Sequence, residues 1–187
     1  LKSVENIPNN AEKCTYMFNN CESLEYVTNI PSHALDMEKM FYQCGKLTTT
    51  GTNIPSNVIT IEGAFYKCKS LNPAFRYSVP ESCKSIVYAW FNCKSLEKAP
   101  YIPMNLNITA MDNSFNGCSA MQELPHIPYT VTNLYFAFKG CSSATKIMDD
   151  MPCVLMADEY DDYYVSKLIL ADTFRGCKNL NASIYVN

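Results

Sequence analysis

Histidine is rare in this chain, with His33 and His126 as the only two, and no Cys-x-x-Cys pair occurs among its ten cysteines, so the ligand spacing of a zinc site is absent. No apolar run approaches the ~18 residues needed to cross a bilayer, which excludes membrane insertion by this stretch of chain. Positive charge is not in excess: the formal net charge is −3, with both signs scattered along 187 residues. Without a basic stripe, nucleic acid is not an expected partner. Glycine is also scarce, at six residues, and the chain opens at Leu1 with neither a methionine nor a signal-like segment, as expected of a mature or trimmed form.

What the sequence has instead is a repeat. Met37, Met40, Phe41 and Cys44 stand at i, i+3, i+4 and i+7, the spacing that puts four side chains on one stripe of a short helix. The stripe recurs as Cys14, Met17, Phe18, Cys21; Ile61, Ala64, Phe65, Cys68; Ile86, Ala89, Trp90, Cys93; Met111, Ser114, Phe115, Cys118; Leu134, Ala137, Phe138, Cys141; and Leu170, Thr173, Phe174, Cys177. Successive anchor cysteines are 23, 24, 25, 25, 23 and 36 residues apart, so one interval alone departs from the period. That period lies in the leucine-rich-repeat length class, and it predicts about seven stacked units in a single domain, 1–187. The predicted inward residues are the ring and the thiol of each stripe, Phe18, Cys21, Phe41, Cys44, Phe65, Cys68, Trp90, Cys93, Phe115, Cys118, Phe138, Cys141, Phe174 and Cys177.

Between stripes, LKSVENIP (1–8) matches LEYVTNIP (24–31), so the chain opens inside a unit, at its strand. These β-branched segments read as short strands that the proline after the isoleucine terminates, because proline cannot donate to a ladder. The Ile-Pro step recurs at Ile7, Ile30, Ile54, Ile102 and Ile127, with Val79 and Met151 as variants. Strands of neighbouring units would pair in parallel, the helical stripe serving as the crossover.

Seven cysteines share one repeat position, and Cys14 and Cys83 fill positions that other units give to small or apolar residues, which leaves Cys153 outside the packing pattern. Stacked parallel units set equivalent Cβ atoms about 4.8 Å apart, beyond the usual disulfide range, so free buried thiols are favoured over bridges. Neither histidine falls opposite the cysteine column, which weighs against a thiol enzyme. The long interval carries an insertion at about 154–165, with Asp158, Glu159, Tyr160, Asp161, Asp162, Tyr163 and Tyr164. Its acidity and lack of period predict a surface loop. Clustered carboxylates suit calcium, but the glycine-bearing spacing of a known calcium loop is missing.

The unit written from 54–71 as Ile-Pro-Ser-Asn-Val-x-x-Ile-x-x-Ala-Phe-x-x-Cys-x-Ser-Leu resembles the BspA-type leucine-rich repeat of bacterial, and some protozoan, surface proteins. The resemblance covers nearly the whole chain and implies a right-handed α/β solenoid with a parallel sheet on one face and short helices on the other. It also implies an exported protein, extracellular or on a bacterial cell surface, used for adhesion or host contact. Departures are local: Trp90 stands for Phe, Met121 and Ala144 stand for Leu, and the acidic insertion has no counterpart.

Inward positions are fixed by packing, so recognition is expected from outward strand positions and from the insertion. The residue before each Ile-Pro step runs Asn6, Asn29, Asn53, Ser78, Tyr101, His126 and Asp150, and Tyr26 follows a repeat leucine. Tyr26, Tyr101, His126 and the Asp158 to Tyr164 group are therefore the predicted contact residues for a host or neighbouring-cell protein or a glycan, with no cofactor. The rival readings are a structural spacer that presents another domain and, more distantly, a thiol- or metal-dependent enzyme.

Overall fold

The computed structural model describes residues 1–72, 77–148, 153–155, 171–181 and 184–186. Its regular strands are short and all pair in parallel. β1 (Ser3–Val4) pairs with β2 (Tyr26–Val27), β3 (Glu123–Leu124) with β4 (Lys146–Ile147), and β5 (Cys153–Leu155) with β6 (Ile184–Val186). Single bridges extend this column from Tyr26 to Thr49 and from Lys98 to Glu123, and a further bridge, Ser78 to Tyr101, lies three residues on, at the Ile-Pro step. A second column of bridges, Lys13 to Asp36 to Thr60 to Ser85 and then Ala110 to Asn133, runs just ahead of the stripes. Each unit is thus pinned to the next at two places, one on either side of the buried interior.

The stripes are not helices; among the described residues there is no α-helix. Residues 37–44 show what replaces it. The N–H groups of Met37, Lys39, Phe41 and Gln43 donate to Thr60, Glu62, Ala64 and Tyr66 of the next unit at 2.7–3.0 Å. The N–H groups of Met40, Tyr42 and Cys44 close turns onto Met37, Lys39 and Phe41, three residues back. The carbonyls of Asp36, Glu38, Met40 and Tyr42 accept from Cys14, Tyr16, Phe18 and Asn20 of the preceding unit. Every alternate amide therefore bonds between units, and a helix would have to give those bonds up. Consecutive turns keep the same side chains inward as a helix would, which is why the spacing suggested one. Their backbone requires two left-handed residues per stripe, and the second of these, just before the cysteine, is often Asn or Gly: Asn20, Asn92, Gly117, Gly140 and Gly176 all have φ between 56° and 84°.

The interior is one cluster running through the stack. Phe18, Phe41, Phe65, Trp90, Phe115, Phe138 and Phe174 form a file of stacked rings with centroids 5.2–5.9 Å apart. Tyr77 enters beside Phe65, with centroids 5.3 Å apart, and its hydroxyl meets Thr50 Oγ1 at 3.0 Å inside the core. The cysteine column runs alongside, and its seven members, like Cys14 and Cys83, are free thiols. Each thiol from Cys44 onward also donates to the carbonyl of the stripe ring one unit back: Cys44 to Phe18, Cys68 to Phe41, Cys93 to Phe65, Cys118 to Trp90, Cys141 to Phe115 and Cys177 to Phe138, at 3.0–3.2 Å. A cysteine here is both filler and hydrogen-bond donor, which explains its preference over Ala or Val. Ser114 and Thr173 cap Ile86 and Leu134 carbonyls in the same manner.

Several inward expectations need correction. Met17 is exposed and Cys21 half-buried, while Phe174 and Cys177 are also only half-buried. All four lie in the outermost described stripes, which have a neighbour on one side only. The insertion expected as loop from about 154 begins inside β5, whose backbone pairs with β6, so the strand pattern continues into it. Leu170 lies outside the described residues.

Candidate functional site

The Ile-Pro steps of successive units line up along one edge, where the chain leaves the strand column. At the first three units this edge forms a groove of about 880 Å³ lined by Asn6, Asn9, Thr28, Asn29, Ser32, Thr52, Asn53 and Ser56, with the Ile-Pro pairs beneath. Its side chains are uncharged amides and hydroxyls, and they are tied down. Asn29 accepts from the Ile7 N–H at 3.0 Å and donates to the Ile7 carbonyl at 2.8 Å, so its amide copies a strand partner; it also reaches Asn9 Oδ1 at 3.3 Å. Thr28 Oγ1 accepts from Asn6 N–H, Thr52 Oγ1 from Ile30 N–H, and Asn53 Oδ1 from the N–H groups of Ile54 and Ser78. Side chains take over the ladder because the proline at each step cannot donate. Replacing Asn29 by Ala strips Ile7 of both partners, and the expected loss is about 1–3 kcal/mol by chemical denaturation, with little change for Asn57→Ala.

The same edge changes character further along. Position for position, Asn6, Asn29, Asn53 and Ser78 give way to Tyr101 and His126, and Asn9, Ser32, Ser56 and Glu81 give way to Met104 and Tyr129. Tyr101, Met104 and Tyr129 are 47%, 41% and 54% exposed, an apolar patch where the first units present amides. The Tyr129 N–H reaches the Met104 carbonyl at 3.4 Å, which holds the two steps side by side. Rigid aromatic and thioether surface beside fixed amides offers contact area with directional donors and acceptors.

Of the predicted contact residues, Tyr101 is outward as expected, and Tyr26 is outward on β2, in the strand column. His126 is not an outward residue: it is 7% exposed, its ring set edge-on to Tyr101 with centroids 6.4 Å apart, so it supports Tyr101 from behind. Asp158, Glu159, Tyr160, Asp161, Asp162, Tyr163 and Tyr164 lie outside the described residues. Met104 and Tyr129 escaped the sequence reading; their signal is the position after each Ile-Pro, polar in the first four units and apolar here. Among the described residues no group of three or more His, Cys, Asp or Glu side chains is placed to hold a metal ion.

A family model described as the BspA type leucine rich repeat region matches residues 1–122 and 37–150, with six copies. The chain belongs to the BspA-type leucine-rich repeats. Among solved structures, a leucine-rich repeat protein from Bacteroides ovatus ATCC 8483 is similar at 19% identity and a TM-score of 0.53, over 82% of this chain and 47% of that one. The T. pallidum leucine-rich repeat protein matches at 18% identity and a TM-score of 0.46, over 100% of this chain and 64% of that one. A leucine-rich cell surface protein from Faecalibacterium prausnitzii A2-165 matches at 17% identity and a TM-score of 0.31. This BspA-type chain thus spans about half the length of the B. ovatus protein, with which it shares the repeat fold. No curated protein sequence matches.

Proposed function

We propose that this BspA-type repeat protein is a non-enzymatic recognition module, exported to a bacterial cell surface or the medium, that binds a protein or glycan of a host or neighbouring cell along its Ile-Pro edge. The observation that carries this reading is the make-up of that edge: a groove of fixed amides and hydroxyls over the first three units, and the exposed Tyr101, Met104 and Tyr129 at the equivalent positions further along. Interior positions are committed to packing, whereas Tyr101, Met104 and Tyr129 are exposed where the first units carry amides, hydroxyls and a carboxylate, and the core fixes none of the three. The innermost thiols Cys68 and Cys93 support a non-enzymatic role, since burial raises them away from the thiolate that a nucleophile needs. Adhesion is the use this surface fits best. Tyr26 and the Asp158 to Tyr164 group would extend the contact from the strand column and the insertion.

The test is a binding screen of immobilised glycans and host-surface proteins against the parent and Tyr101→Ala. A ligand recognised by this edge should lose at least tenfold in affinity, about 1.4 kcal/mol, on that truncation, with an unchanged circular-dichroism spectrum. Equal affinity of parent and variant for every ligand found would refute the assignment.

A further inference from the structure

We propose a second, independent site on the turn face of units two to four, where two notches separated by a tyrosine ridge take an acidic sugar chain such as a uronate oligomer. The ridge is Tyr42 and Tyr66, whose rings stack at 4.4 Å with 3° between planes and continue to Phe91 at 4.7 Å. Nothing in the core demands this file of rings; they follow the buried phenylalanine of each stripe and are half-buried on its outer side.

On one side of the ridge is a notch of about 280 Å³ lined by Glu22, Gln43, Gly45, Lys46, Lys67 and Lys69. Three ammonium groups thus gather against one carboxylate in a chain whose net charge is −3. None of the three forms an ion pair among the described residues, unlike Lys39, which pairs with Glu38 at 2.8 Å. Lys67 lies over the Tyr66 ring with its ammonium 5.2 Å from the centroid, but like charges on adjacent stacked units still repel, and an anion in the notch would relieve that. A Cβ on Gly45 would meet nothing within 4 Å, so the notch floor is open there.

On the other side is a notch of about 340 Å³ lined by Lys39, Tyr42, Glu62, Gly63, Tyr66 and Tyr88. Gly63 takes the place that Lys39 and Tyr88 hold in the neighbouring units, and a Cβ there would come within 3.1 Å of Lys39 Cγ, so the glycine lets the Lys39 chain lie along the notch. Tyr88, tilted 58° from Tyr66 and 39% exposed, forms its wall. An aromatic wall with phenol, carboxylate and ammonium groups around it suits the apolar face and hydroxyl rim of a pyranose. A carboxylate on that sugar or its neighbour then falls across the ridge among Lys46, Lys67 and Lys69. Tyr66 has both ring faces covered, by Tyr42 and Phe91, and the Glu22 and Glu62 carboxylates in the two notches can accept from sugar hydroxyls, which a DNA backbone does not offer; both features favour the sugar acid over a DNA strand.

Calorimetric titration with a galacturonate tetramer, its methyl ester, a tetraglutamate peptide and a short single-stranded oligonucleotide tests this. The galacturonate should bind, more weakly as salt rises, and its uncharged ester at least tenfold more weakly. Lys67→Gln/Lys69→Gln, Gly45→Leu and Tyr88→Ala should each weaken it at least tenfold, whereas Lys178→Gln and Tyr101→Ala should leave it unchanged. The proposal is overturned by no binding of galacturonate, by equal binding of the ester, by peptide or oligonucleotide binding as tightly, or by indifference to the notch variants. Because Tyr101 belongs to the other surface, either site can fail without the other.

Discussion

Phe65→Ala is expected to lower stability by roughly 3–5 kcal/mol, the cost of a cavity in a core that cannot collapse around it. Phe65 is fully buried and touches three rings, with Phe41 at 5.6 Å, Trp90 at 5.9 Å and Tyr77 at 5.3 Å. Removing it interrupts the aromatic file between units two and four. Since each unit is held only by its neighbours, the loss should spread to both rather than remain local, and the unfolding transition should broaden. Lys69→Ala, on the exposed residue after Cys68, is the control. A melting shift for Phe65→Ala no larger than for this control would show that the ring file does not carry the stack.

The thiol column should make the fold sensitive to alkali and indifferent to thiol reagents. Burial pushes Cys44 and Cys118 up to about 12 from the ordinary value of 9.0, and lifts Cys68 and Cys93 well above that ordinary value too. Burial raises Tyr77 as well. Because the folded state holds these protons more tightly than the unfolded chain, their contribution to stability is complete below about pH 9 and is lost progressively as pH rises from there to about 12. Denaturation midpoints measured across that window should fall steadily. A thiol reagent near neutral pH should label few groups in the native protein, and denaturation without reductant should expose at least the seven column thiols. Stability that stays flat from pH 9 to 12 would contradict the burial, and a native bridge between two column cysteines, seen by mass spectrometry, would contradict the free thiols.

The repeat register is legible in the sequence because packing enforces it: a ring and a thiol at a fixed place in each unit can be read by counting. Phe41, Phe65, Trp90, Phe115 and Phe138 are fully buried as their spacing predicts. Helix against turns is not legible from spacing, since both conformations turn the same residues inward. The distinguishing mark is local, the Asn or Gly before Cys21, Cys93, Cys118, Cys141 and Cys177, which is poorly suited to a helix and well suited to a left-handed turn residue. The donor role of the cysteines also has no periodic signature beyond the one packing gives. At the Ile-Pro edge, Tyr101 is outward because its position is, but His126, one unit on, is buried with its ring edge-on to Tyr101, a side-chain arrangement that no period encodes. Met104 and Tyr129 stand out only when the same position is compared across units, because nothing in the core constrains them.

Recognition by the Ile-Pro edge is tested most directly by hydrogen exchange of the protein with and without a glycan or host protein taken from the binding screen. Slowed exchange is expected at 28–32, 101–104 and 126–129, the amides along the groove and the aromatic patch. Protection confined to the turn segments, with these stretches unchanged, would contradict it.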